Sequence, residues 1–204
     1  MYQYAIFDDM TQCTQDDILR LKAIASPQRL TQAMRFKHIF GQWACLKSYE
    51  MLLQLFHADL SDKLQHLHTD LSLEFRYNDH DKPYLTQDTI NRLQTPYPFF
   101  SISHCKNAIA VAVGSQEIGI DIESRHRHIS DGLTEHVMNP QEQQYIARHS
   151  DLATAFIELW TKKEALLKQR GTGITDDLRS VLTGNEPIQT HVFDSYIFSI
   201  CTNN

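Results

Sequence analysis

Apolar residues recur along this chain with two periods, and the period changes from segment to segment. Tyr2 to Phe7 predicts a short first strand. Asp16 to Ala25 places Ile18, Leu21 and Ile24 at helical spacing. Ser26-Pro27 reads as an N-cap followed by proline in the first helical turn. A long helical stretch is predicted from Pro27 to Phe56, carried by Leu30, Met34, Trp43, Leu46 and Leu53, with Gly41 as the candidate break. Leu71 to Tyr77 alternates as a strand does, and Asn78-Asp79-His80-Asp81 reads as a turn.

Thr95-Pro96-Tyr97-Pro98 is the best internal boundary, because its prolines disfavour helix and leave an extended connector. It divides the chain into residues 1–97 and 98–204. Beyond it, Phe99–Ser103, Ala108–Val113 and Ile118–Ile122 predict a meander of three strands, with Gly114-Ser115 turning between the second and third. Helices are expected at Pro140–Arg148 and Leu152–Gln169, and Ile188–Cys201 reads as two strands. Each half begins with strand, carries helix and returns to strand, so the fold class is α+β.

The 204 residues suffice for one sizeable core or two small ones, and 42% apolar with 22% charged residues is ordinary for a globular protein. A net charge of −6 argues against a general nucleic-acid binder. It also means that an anionic ligand needs a local basic pocket. Cys13, Cys45, Cys105 and Cys201 form no CxxC pair, so neither a zinc framework nor a disulfide scaffold is suggested, and a reduced, cytoplasmic setting is expected. No signal-peptide pattern is visible. The apolar run Ile109–Val113 is too short to cross a bilayer, so no membrane partner is expected.

The chemistry concentrates in two blocks. In Gly119-Ile120-Asp121-Ile122-Glu123, alternation sends Ile118, Ile120 and Ile122 to one face and Glu117, Gly119, Asp121 and Glu123 to the other. Taken alone, Asp121 and Glu123 read as a solvated edge. As a pair they repel, and a hard divalent cation such as Mg²⁺ removes that penalty. In the second block Trp160, Glu164 and Lys168 lie four apart and share a helix face. By itself such a Glu-Lys pair is a surface pair worth about 0.3–0.5 kcal/mol. Lys162 and Lys163 add charge, and Gly171-Thr172-Gly173 ends the helix.

Other candidates are weaker. Ser103-His104 suggests a hydrolase dyad, but adjacent strand residues point to opposite faces and no Gly-x-Ser-x-Gly elbow is present, so phosphate binding fits better. Lys82 precedes a rigid Pro83. Arg29, Arg35, Lys37 and Lys47 stud the first long helical stretch as a solvated face or a polyphosphate pocket. His66, His68, His126 and His128 match no common zinc spacing and read as surface residues.

Taken in order, Lys82-Pro83-Tyr84, Ser103-His104, Gly119-Ile120-Asp121-Ile122-Glu123, Trp160-x-x-Lys163-Glu164-Ala165-x-x-Lys168 and Gly171-x-Gly173 resemble the 4′-phosphopantetheinyl transferases of the surfactin-synthetase-activating (Sfp) type. The resemblance covers residues 82 to 174. It implies two similar α/β subdomains in one chain, related by a pseudo-twofold axis, with coenzyme A between them, and a monomer. It implies transfer of phosphopantetheine from coenzyme A to a serine of an apo acyl or peptidyl carrier protein, with adenosine 3′,5′-bisphosphate as by-product. By position, Asp121, Glu123 and Glu164 would hold Mg²⁺. Glu164 would be the base for the carrier serine, and Lys168 would stabilise the pyrophosphate and leaving group. Lys82, Ser103 and His104 would bind coenzyme A phosphates, with Lys163 in a lesser phosphate contact. Gly41, Gln42 and Trp43 depart from the family pattern, leaving Arg29, Arg35 and Lys37 as candidates for the adenosine end. Arg125 and Arg127 are candidates for carrier docking. Two rival readings remain: a coenzyme A or carrier-binding module without catalysis, and a metal-dependent phosphoesterase.

Overall fold

A computed structural model describes residues 1–58, 72–173 and 177–203. The chain opens with strand β1 (Tyr2–Phe7), followed by helix α1 (Gln15–Lys22), whose first turn is capped by the Thr14 hydroxyl. Helix α2 (Pro27–Ala33) starts as the sequence predicts, with Ser26 accepting from the Arg29 amide and Pro27 in the first turn. The predicted long helix is two helices, because α3 begins only at Ile39 and runs to Ala58. The break lies at Met34–His38, where the Arg35 and Phe36 amides bond back three residues and tighten the end of α2. Gly41 sits inside α3, where a Cβ would meet the Phe36 ring at 2.7 Å, so glycine lets that ring fold back. Trp43 is fully buried and donates from Nε1 to Asp17 at 2.7 Å, tying α3 to α1.

Two short strands follow, β2 (Phe75–Tyr77) and β3 (Pro83–Leu85), and then helix α4 (Gln87–Leu93). Beyond the prolines come β4 (Phe99–Cys105), β5 (Ala108–Gly114) and β6 (Ile118–Ser124). The short helix α5 (Leu133–Val137) precedes α6 (Pro140–Arg148) and α7 (Leu152–Arg170), and β7 (Ile188–Val192) and β8 (Tyr196–Thr202) close the order. The architecture is mixed α/β. No helix among the described residues is long and apolar enough to cross a membrane. His66 and His68 lie outside the described residues.

The expected meander is only a hairpin. β4 and β5 pair antiparallel, but β6 leaves them and pairs with β8 in the order β6-β8-β7. β1 completes the other sheet, β1-β5-β4, with Tyr2 opposite Gly114 and Phe7 opposite Ile109. That sheet therefore takes strands from both sides of Thr95–Pro98. Both faces of β5 are buried. Ile109, Val111 and Val113 pack with Trp43, Tyr49 and Leu52 of α3. Ala108, Ala110 and Ala112 pack on Ile118, Ile120 and Ile122 and on Phe198 and Ile200. Small alanines let the second sheet approach closely, and that sets β6 beside β4.

Candidate functional site

β6 has two differently employed faces. Its isoleucines fill the inter-sheet core, while Gly119 and Asp121 face α7. At Gly119 a Cβ would lie 1.9 Å from the Ala165 carbonyl oxygen and 2.4 Å from the Gln169 amide nitrogen. The missing side chain thus brings the α7 backbone onto the strand. Thr161 of α7 also hydrogen-bonds Ser199 at 2.9 Å, and Ser199 lies opposite Asp121 in the β6–β8 register. α7 is capped by Asp151 at its start and ends on Gly171 in the left-handed region (φ 70°), as its sequence predicts. These contacts hold Glu164 and Lys168 at the edge of β6.

Asp121 is 4% exposed. Its Oδ1 accepts from Lys168 Nζ at 2.7 Å and from the Ser103 hydroxyl at 2.8 Å, while its Oδ2 is buried without a hydrogen-bond partner among the described residues. Glu164 Oε1 is also buried and unpartnered. Burial, then the neighbouring Asp121, pushes the Glu164 carboxyl above its ordinary pKa, and Lys168 opposes the shift. Glu123 is raised by the same two causes and opposed chiefly by Arg127. Its Oε1 accepts from Arg127 at 2.5 Å and from Trp160 Nε1 at 3.2 Å, and the Arg127 guanidinium lies 5.0 Å over the Trp160 ring. Lys168 and Arg127 therefore divide the three carboxylates between them.

Among the described residues no three His, Cys, Asp or Glu side chains are gathered as tightly as a metal ion requires. The donor set nevertheless fits one: two buried carboxylate oxygens, on neighbouring elements and beside a third carboxylate, have no hydrogen-bond partner among the described residues. Hard oxygen donors of this kind suit Mg²⁺.

A pocket of about 380 Å³ opens beside these groups, walled by Lys82 and Pro83, by Phe100 and Ile102 of β4, and by Glu164 and Lys168. Lys82 is a buried part of that wall: its ammonium pairs with Glu117 and donates to the Gln169 carbonyl at 2.8 Å. Asn78 donates to the Gly171 carbonyl at 2.8 Å, so the β2–β3 turn grips the end of α7. His104 sits at the rim, its ring 5.9 Å from Phe40, and burial of its inner side lowers its pKa, helped by Lys168 and Arg29. Arg29 is buried without a carboxylate partner among the described residues. Its guanidinium donates to the Cys45 carbonyl, Gln32 and Ser48 and lines a second pocket together with His104 and Tyr77. Arg35 lines a third pocket beside Gln32 and Tyr77. Lys37 is exposed on the segment between α2 and α3 and lines none of these pockets.

Lys163 requires a correction. It is 1% exposed, pairs with Glu142 at 2.8 Å and donates to the Leu178 carbonyl at 2.7 Å. Adjacent helix residues point about 100° apart, so Lys163 turns away from the face that carries Glu164. It holds α6 and α7 together and is closed to a phosphate. Ser103 is also fully engaged, through bonds to Asp121, Lys168 and the Ile122 amide. Of the docking candidates, Arg125 bonds Thr154 and Asp151, and Arg127 holds Glu123. Tyr77 escaped the sequence reading, whereas the turn signal pointed toward Asn78 and strand alternation already set Glu117 on the face of Asp121.

Residues 117–198 match the family model of the 4′-phosphopantetheinyl transferase superfamily. The matched stretch holds β6 and α7, the two elements that carry the carboxylates and Lys168. Among individual proteins, the chain is 34% identical over 110 residues to a 4′-phosphopantetheinyl transferase of Bacillus subtilis, covering 53% of this chain and 46% of that protein. It is 29% identical over 122 residues to 4′-phosphopantetheinyl transferase gsp of Aneurinibacillus migulanus, covering 58% and 47%. It is 26% identical over 183 residues to 4′-phosphopantetheinyl transferase Sfp of Bacillus subtilis strain 168, covering 87% and 73%. The chain thus spans about half the length of the first and second of these relatives. The chain is thus similar to that superfamily over residues 117–198 and to these named transferases over 53–87% of its length.

Proposed function

We propose that the protein is an Sfp-type 4′-phosphopantetheinyl transferase, moving phosphopantetheine from coenzyme A to a serine of an apo carrier protein. The observation that carries the reading is the Asp121–Glu164–Lys168 group at the pocket edge, with two buried carboxylate oxygens that have no hydrogen-bond partner among the described residues. Asp121, Glu123 and Glu164 would hold Mg²⁺, which when bound neutralises pyrophosphate charge. In this reading residues 98–204 supply the acidic site, and residues 1–97 wall the coenzyme A, with the two parts arranged as pseudo-twofold subdomains in a monomer.

The carrier serine oxygen forms a bond to the phosphorus that bears pantetheine, and the bond from that phosphorus to the bridging oxygen breaks. Glu164, whose raised pKa suits it to accept a proton, takes the serine proton. Lys168 spends two of its three N–H groups on Asp121 and Ser103 and turns the third to the charge developing on the leaving adenosine 3′,5′-bisphosphate. Lys82 lines the pocket that would take the pyrophosphate. His104 and Arg29 line the neighbouring one, suited to the phosphate at the adenosine end, with Arg35 beyond them. Transfer of this kind needs positioning and charge neutralisation more than covalent help.

The test is to incubate the protein with coenzyme A, Mg²⁺ and an apo carrier, then weigh the carrier by intact mass spectrometry. A gain of one phosphopantetheine, abolished by EDTA, is expected. No gain across several carriers, with coenzyme A still bound, would replace this reading with a binding module.

A further inference from the structure

β4 and β6 lie side by side at the meeting of the two sheets, yet each is ladder-paired elsewhere, β4 to β5 and β6 to β8. An edge strand in such a place exposes backbone amides that must find acceptors. Two serines of β4 supply them. The Ser101 hydroxyl accepts from the Ile120 amide at 3.1 Å, and the Ser103 hydroxyl accepts from the Ile122 amide at 3.3 Å. The spacing of two keeps both hydroxyls on one side of β4.

The serines then part in role. Among the described residues, only this backbone contact engages the Ser101 hydroxyl. Ser103 also donates its proton to Asp121 Oδ1 at 2.8 Å and accepts from Lys168 Nζ at 2.9 Å. A hydroxyl has one proton and two lone pairs, so all of its bonding capacity is spent within the protein. Ser103 is 7% exposed, which leaves no open side for a phosphate.

The geometry points to Ser103 as a positioning residue for the Asp121 carboxylate. It fixes Oδ1 against Lys168 and so aims the unpartnered Oδ2 into the site, whereas Ser101 only closes the seam. This rests on the proposed role of Asp121. An outer partner of a ligating carboxylate typically contributes about 10–100-fold in metal affinity.

The test compares Ser103→Ala, Ser103→Thr and Ser101→Ala. Mn²⁺ alone serves as the metal probe, read by electron paramagnetic resonance, and coenzyme A binding is read separately by calorimetry without carrier. Ser103→Ala is expected to weaken Mn²⁺ binding about tenfold or more while changing coenzyme A affinity less than about threefold, and Ser103→Thr, which keeps the hydroxyl, is expected to restore Mn²⁺ binding. Ser101→Ala is expected to lower the melting temperature and leave Mn²⁺ affinity intact. Selective loss of coenzyme A affinity in Ser103→Ala would overturn the assignment in favour of a phosphate contact. Parallel losses in both alanine variants would overturn it in favour of plain structure. A parent protein that binds no Mn²⁺ and transfers nothing would sink the metal reading itself. The crystal structure of Ser103→Ala then decides the inference: an Asp121 carboxylate rotated away from Lys168 supports it, and an unmoved one refutes it.

Discussion

Adding a single methyl group at Gly119 tests how the site is held together. The Cβ of Gly119→Ala would meet the Ala165 carbonyl oxygen at 1.9 Å and the Gln169 nitrogen at 2.4 Å, and both are backbone atoms that cannot swing aside. Ordinary contact begins at 3.4 Å, so α7 must retreat from β6 by about 1.5 Å, a large displacement in a close-packed interior. Overpacking of this kind costs about 1–3 kcal/mol, and an obstacle made of backbone belongs at the upper end. For a chain of this length about 3 kcal/mol lowers the melting temperature by roughly 6–12 °C. The retreat also carries Glu164 and Lys168 away from Asp121. A misplacement of about 1 Å in a reacting constellation costs on the order of 100-fold in rate, so transfer by the folded fraction should fall at least that far. Circular-dichroism melting, followed by transfer and Mn²⁺ binding well below the transition, reads both effects. A variant that melts within about 2 °C of the parent and transfers normally would refute the close approach of α7 to β6 as the basis of the site.

The remaining expectations concern charge. Because burial and Asp121 raise the Glu164 pKa, the folded protein binds that proton more tightly than the unfolded chain. Metal-free stability should therefore fall as pH rises from the ordinary value of 4.5 through the raised one, and stay lower above it. Glu164→Gln should melt higher than the parent at pH 7 without metal, with the difference vanishing near pH 3; a difference that grows toward low pH would contradict this. Lys163→Met should cost about 3–5 kcal/mol by stranding the Glu142 carboxylate, while coenzyme A affinity of the folded protein stays unchanged; a selective loss of that affinity would return Lys163 to the ligand site. His104 has a lowered pKa and is largely neutral at pH 7. Protonating it beside a bound phosphate should tighten coenzyme A binding as pH falls below the ordinary value of 6.5, and His104→Ala should abolish that dependence, as isothermal titration across pH would show.

Local signals were readable and distant partners were not. Strand alternation at Gly119–Glu123 and the four-residue spacing of Trp160, Glu164 and Lys168 agree with the faces these residues occupy, because both depend only on near neighbours. The caps at Ser26-Pro27 and Gly171 hold for the same reason. The meander failed because β6 finds its ladder partner at Tyr196–Thr202, and consecutive apolar runs look alike whether they pair or merely pack. The Met34–His38 break carries no proline or glycine to announce it. Lys163 was misplaced by reading a motif as a cluster, although its helix phase already turned it from Glu164. The Arg127–Glu123–Trp160 contact depends on how the segment after β6 folds back, which no period records.

The pairing of β6 also sets the order of events as the protein folds. Asp121 stands opposite Ser199, and that partner is synthesised long after the strand that needs it. β1 waits in the same way for Ala108–Gly114. Closing such long loops costs entropy before any contact repays it, so both sheets form late. Until β8 arrives, β6 has no ladder and α7 has no Ser199 to hold. Glu164 and Lys168 then have no fixed place beside Asp121, so the site is assembled only once the last strand is in position.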